Sequence, residues 1–98
     1  MSDGDVRAAE RELARVRDEI EQVDRRLIEL IARRMELGRQ VGVAKRAAGL
    51  PALDPAREAA VIRRASEIAR ELSAPEEDIR YMFWHLIGMS RRAQLTGD

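Results

Sequence analysis

The sequence predicts an all-α fold with three helices per chain, one very long and two shorter, assembled as an intertwined antiparallel homodimer. Three observations carry this expectation. No proline interrupts residues 5–48, and apolar side chains recur there at three- and four-residue steps. Two later segments each open on a helix-start signature. No stretch alternates apolar and polar residues as a half-buried strand would.

The first helix, about residues 5–48, carries one apolar stripe made of Leu13, Val16, Ile20, Val23, Leu27, Leu30, Leu37, Val41 and Ala44. Gly49, Leu50 and Pro51 end it. At ~1.5 Å per residue it would be roughly 60 Å long. Two shorter helices cannot cover such a stripe on every side, so a second chain is expected to do so. An antiparallel pair of long helices wrapped by the short ones satisfies the stripe, and so does a plain two-stranded coiled coil. The second helix, about residues 55–72, is expected to open on Asp54 as N-cap and Pro55 at its first position, with Val61, Ile62, Ala65, Ile68, Ala69 and Leu72 as its apolar face. The run Ser73-Ala74-Pro75-Glu76 reads as a capping box for the third helix, about residues 74–95, through Ile79, Phe83, Leu86 and Ile87.

Composition narrows the function classes. The 98 residues are 45% hydrophobic and 37% charged, the profile of a single small folded domain over residues 1–98. Eighteen basic and eighteen acidic side chains cancel, which argues against a nucleic-acid surface. No apolar run approaches the ~20 residues of a membrane span, and the first fifteen residues lack the pattern of a secretory signal, so a cytoplasmic address is expected. Without cysteine, and with His85 as its one histidine, the chain offers no thiolate or histidine metal cluster.

The stripes contain polar residues where their rhythm asks for apolar ones. Arg34 falls on the stripe of the first helix between Leu30 and Leu37, and a charge there is costly unless paired. Lys45, the one lysine among eighteen basic residues, follows eleven residues later. At 100° per residue it returns to within ~20° of Arg34, so both cations share a face. In the third helix the count from Ile79 through Phe83 and Ile87 reaches Ser90 and then Gln94. Each has a plain structural alternative: a snorkelling arginine, a hydrogen-bonded serine or glutamine, and a capped helix start for Asp54, Arg57 and Glu58. Together, two cations, an amide, a hydroxyl and a carboxylate pair facing a bundle interior describe a pocket for a small polyanion, and suggest a dicarboxylate that carries a hydroxyl.

The segments VRDEIEQVDRRLIELIARRMELGRQVGVAK, DPARE and FWHLIGMSRRAQ resemble the all-helical chorismate mutases, in order and with that family's spacing, from about Val16 to Gln94. The resemblance implies a cofactor-free and metal-free pericyclic rearrangement of chorismate to prephenate on the route to phenylalanine and tyrosine. It implies that Arg34 binds a substrate carboxylate, that Lys45 reaches a carboxylate and the ether oxygen, and that Gln94 donates to that oxygen. By the same resemblance Asp54, Glu58 and Ser90 surround the ring hydroxyl end, and Arg57 borders the carboxylate side. Arg17 would complete the carboxylate clamp. It precedes Arg34 by seventeen residues, roughly 25 Å along a helix, so it would have to come from the partner chain.

Arg91 and Gly88 depart from the family's usual pattern near the pocket, while His85 and Trp84 are expected to lie away from it. Other readings stay open on the same scaffold. Isochorismate-pyruvate lyases and amino-deoxychorismate mutases are similar, although Glu58 favours the mutase. A non-catalytic helical dimer, either a regulatory module that docks on another pathway enzyme or a coiled-coil adaptor, is compatible with the scaffold alone, and a family variant that works only when bound to a partner enzyme stays open as well. Against a purely structural module stands the inward set Arg34, Lys45, Glu58, Ser90 and Gln94, because buried polar groups weaken a core.

Overall fold

A computed structural model describes residues 2–96 and contains three α-helices: α1, Asp3–Ala48; α2, Pro55–Glu71; and α3, Glu76–Thr96. The described residues contain no strand. Helix α1 ends as its Gly-Leu-Pro sequence demands. Gly49 takes φ 68°, its N–H donates to the Arg46 carbonyl at 3.2 Å, and the Leu50 N–H donates to the Lys45 carbonyl at 2.9 Å. This pair of bonds satisfies carbonyls that the helix leaves open, and it needs a residue that tolerates the left-handed region. Asp54 caps α2 as expected, with Oδ1 accepting the Arg57 N–H at 3.1 Å and Pro55 in the first turn.

The expected capping box before α3 does not form, because Ser73 is used at the other end of the same junction. It closes α2 with φ 54°, donating its N–H to the Arg70 carbonyl at 3.2 Å, while the Ala74 N–H reaches the Ala69 carbonyl at 2.8 Å. A residue in that left-handed position cannot also adopt the extended backbone of an N-cap. Helix α3 therefore starts at Glu76, with three acidic residues in its first turn to complement the helix dipole.

The chain divides into two compact units, one ending at Arg33 and one beginning at Arg34. The first is the N-terminal part of α1. No residue from 2 to 33 is buried, and Leu13, Val16, Ile20, Val23, Leu27 and Leu30 are 37–57% exposed. Its polar faces carry pairs one turn apart, Arg15 with Glu12 and Glu19 and Arg25 with Glu29. The Arg15 guanidinium holds the exposed Glu12 carboxyl below the usual carboxylate range.

The second unit holds the remainder of α1 together with α2 and α3. Its buried residues among those described are Gly38 and Gly42 of α1, Ile62, Ala65, Ser66 and Ala69 of α2, and Ile87, Ser90 and Ala93 of α3, none larger than isoleucine. Helix α1 meets α3 through the glycine row. A Cβ added to Gly38 would stand 3.6 Å from the Ser90 Cβ, and one added to Gly42 would stand 2.9 Å from the Gln94 carbonyl oxygen. That close approach brings the side chains flanking the glycines, Arg34 and Lys45, against α3. Among the described residues no helix is long and apolar enough to cross a membrane.

Candidate active site

Beside the glycine row, within the second unit, lies a cavity of about 290 Å³. Each helix places a charged residue on it for a local reason. Residues 34, 38, 41 and 45 of α1 recur at three- and four-residue steps, so Arg34 and Lys45 stand at the two ends of one face. The N-cap turn of α2 presents Asp54, Arg57 and Glu58. The last turns of α3 present Ser90, Arg91 and Gln94. Leu37, Val41, Val61 and Ile87 supply apolar wall.

Seven of the eight residues singled out from the sequence therefore meet in one cavity: Arg34, Lys45, Asp54, Arg57, Glu58, Ser90 and Gln94. Arg17 does not line it and belongs to the first unit. Gly88 does not line it either, and a Cβ added there would meet only the Arg92 guanidinium, at 3.7 Å. His85 and Trp84 are exposed and lie outside the cavity, as expected.

The cationic groups are held by their stems and partners. Arg34 donates through Nη1 to the Ser90 hydroxyl and to the Leu86 carbonyl at 3.5 Å, and its guanidinium lies 6.0 Å from the Phe83 ring centre. These three contacts fix its direction while Nε and Nη2 keep donors for a ligand. Burial, and after it the positive charge of Arg57, hold the Arg34 guanidinium below its ordinary value. Two cations thus face one space with an unmet demand for negative charge.

Lys45 Nζ donates to Gln94 Oε1 at 3.1 Å and to the Ala52 carbonyl at 3.0 Å. An ammonium has three donors, so one stays available, and Gln94 keeps its own NH₂ free because its oxygen faces the lysine. Arg46 anchors the same turn of α3 by donating to the Gln94 carbonyl at 2.8 Å. Two preorganised donors, one charged and one neutral, therefore stand side by side on the cavity.

Three features of the site were not legible in advance. Gly38 and Gly42 set the distance between α1 and α3, and their signal was the four-residue step from Arg34. The Ala52 carbonyl, on the loop between α1 and α2, ties that loop to Lys45, and no side-chain pattern encodes a backbone acceptor. Arg91 pairs with Glu58 through both guanidinium branches, Nε to Oε2 at 3.2 Å and Nη2 to Oε1. These partners lie 33 positions apart on different helices, beyond the reach of local spacing.

With four cations, Arg34, Lys45, Arg57 and Arg91, set against two carboxylates, Asp54 and Glu58, the cavity carries two surplus positive charges. It suits a small dianion with an apolar body and a hydrogen-bonding oxygen. Sequence comparison points the same way. The profile of the family described as chorismate mutase type II matches residues 16–95. A T-protein of Enterobacter agglomerans is 39% identical over 66 residues, covering 67% of this chain and 18% of that protein. A T-protein of Haemophilus influenzae is 44% identical over 64 residues, covering 65% of this chain and 16% of its own length. A chorismate mutase of Methanocaldococcus jannaschii is 33% identical over 64 residues, covering 65% of each chain. This chain thus spans less than two thirds of the length of each of these relatives.

Proposed function

Because the chain belongs to the type II chorismate mutase family, we propose that its cavity binds chorismate and rearranges it to prephenate without a cofactor, as a cytoplasmic homodimer that serves phenylalanine and tyrosine synthesis. The observation that carries this reading is the pairing of a surplus of two positive charges with the adjacent donors Lys45 and Gln94. Chorismate has two carboxylates, a ring hydroxyl and an ether oxygen whose bond to the ring must break.

The reaction moves electrons in a ring: the ether C–O bond opens as a C–C bond closes, with no proton transfer and no covalent intermediate. Negative charge grows on the ether oxygen as the bond stretches. The free N–H of Lys45 and the amide of Gln94 are aimed at that oxygen, and they stabilise the transition state more than the ground state. Arg34 and Arg57 hold the carboxylates. Asp54, Glu58 and Ser90 stand around the ring hydroxyl end, and Ser90 also fixes Arg34. Holding the side chain over the ring removes most of the entropic part of the barrier.

The remaining clamp is Arg17 of a second chain. What supports a dimer is that residues 2–33 bury nothing while bearing an apolar stripe, and that the second unit buries no side chain larger than isoleucine among the described residues. Such a chain gains its missing burial by association.

Loss of chorismate's ultraviolet absorbance on adding purified protein, with prephenate identified as the product, is the expected result. No turnover by the purified chain would remove the stand-alone enzyme reading.

A further inference from the structure

We propose that Arg91 makes the cavity selective for a ligand that brings a neutral hydroxyl, rather than a protonated amine, to Glu58. This rests on the chorismate reading above, in which Glu58 faces the ring hydroxyl.

The basis is the charge state of the carboxylate as the ligand meets it. A free Glu58 would attract an ammonium group more strongly than a hydroxyl, since an ion pair adds Coulomb attraction to the hydrogen bond. Glu58 is not free. Arg91 reaches across from α3 to α2 and occupies both of its oxygens, one through Nε at 3.2 Å and the other through Nη2. The Glu58 side chain is only 20% exposed and that of Arg91 43%, so solvent screens the pair only in part.

A carboxylate oxygen bound by a guanidinium still has a second lone-pair direction, so a ligand hydroxyl can donate to it. An incoming ammonium finds the negative charge already matched and a guanidinium beside it. The other charges lining the cavity do not compensate. Arg34, Lys45 and Arg57 are cations and outnumber the remaining carboxylate, Asp54, three to one. The fork geometry also matters, because it fixes the direction of the Glu58 carboxylate as well as its charge.

The pair could instead serve only to hold α2 against α3. The two roles separate experimentally, since a helix strap changes stability and affects all ligands alike, whereas a charge screen changes the ratio between ligands. The test compares wild-type protein with Arg91→Met, Arg91→Gln and Arg91→Lys. Each is assayed on chorismate and on the analogue whose ring hydroxyl is replaced by an amine, with thermal melts to establish folding.

We expect wild-type protein to favour the hydroxyl form. In Arg91→Met and Arg91→Gln the ratio of kcat/KM values should move toward the amine by about tenfold or more, the scale of one unit charge removed from a part-buried site. Arg91→Lys, which keeps the charge and loses the fork, should retain the hydroxyl preference. A ratio within about twofold of wild type in either folded neutral variant overturns the role of Arg91. If wild-type protein turns over neither acid, the chorismate reading fails and this inference fails with it. Turnover with an unmoved ratio defeats the inference alone.

Discussion

Lys45 is the one lysine among eighteen basic residues, and its surroundings give a reason for an ammonium at that place. It sits in the last turn of α1, where its Nζ meets Gln94 Oε1 at 3.1 Å and the Ala52 carbonyl at 3.0 Å. A compact ammonium can satisfy both and still direct a third N–H into the cavity, whereas a planar guanidinium fans its donors over a wider fork. Lys45→Arg should lower kcat/KM by about 10²- to 10³-fold, the usual loss when one donor to a developing oxyanion is misplaced. Helical circular dichroism should be unchanged. Near-normal turnover in this variant would refute the role given to Lys45. Arg34 complements it at the other end of the same face. Desolvation and the Arg57 charge make its free state unfavourable, so a carboxylate that arrives between these two guanidinium groups relieves an existing repulsion.

At the scale of helices, the fit of α1 to α3 depends on two glycines with different tolerances. An added Cβ at Gly38 would meet the Ser90 Cβ at 3.6 Å, an ordinary contact, while at Gly42 it would stand 2.9 Å from the Gln94 carbonyl oxygen and 3.0 Å from its Cα. The neighbour at Gly42 is backbone and cannot turn aside. Gly42→Ala should therefore push the helices apart, cost about 1–3 kcal/mol of stability, and reduce activity by separating Lys45 from Gln94. Gly38→Ala should be neutral or gain up to about 1 kcal/mol, the helix-propensity difference between the two residues. Chemical denaturation of the two variants checks this, and equal destabilisation would contradict the glycine-row packing.

These same elements mark where sequence reasoning stops. The charged face was legible because Arg34 and Lys45 interrupt an apolar rhythm, and a rhythm is a one-dimensional property. Gly38 and Gly42 were not, since glycine inside a helix reads as a weakness until the approaching backbone is seen. Ser73 reads as an N-cap because Ser-x-x-Glu fits a capping box, yet the same serine closes the preceding helix in the left-handed region. The Arg91–Glu58 pair needs two helices in register, which tertiary packing alone supplies.

For the molecule as a whole, the proposal that each site draws Arg17 from a partner makes a prediction that no single-chain arrangement shares. Arg17→Ala and Arg34→Ala proteins should each have little activity, since every site in either homodimer lacks one clamp arginine. Suppose the two are unfolded together and refolded at equal concentration. In a mixed dimer of two-fold symmetry, one site then combines the Arg17 and Arg34 of the two altered positions and carries both defects. The other combines the two unaltered positions and carries neither. Random pairing makes half of the dimers mixed and half of their sites intact, so roughly a quarter of wild-type activity should return. If Arg17 acted within its own chain, every site in every combination would keep one defect and mixing would restore nothing. Turnover by a protein that sedimentation shows to be monomeric would exclude shared sites directly. The exposed stripe from Leu13 to Leu30 predicts the accompanying physical behaviour. Thermal stability should rise with protein concentration, because a chain that buries its apolar face only by association is stabilised by mass action.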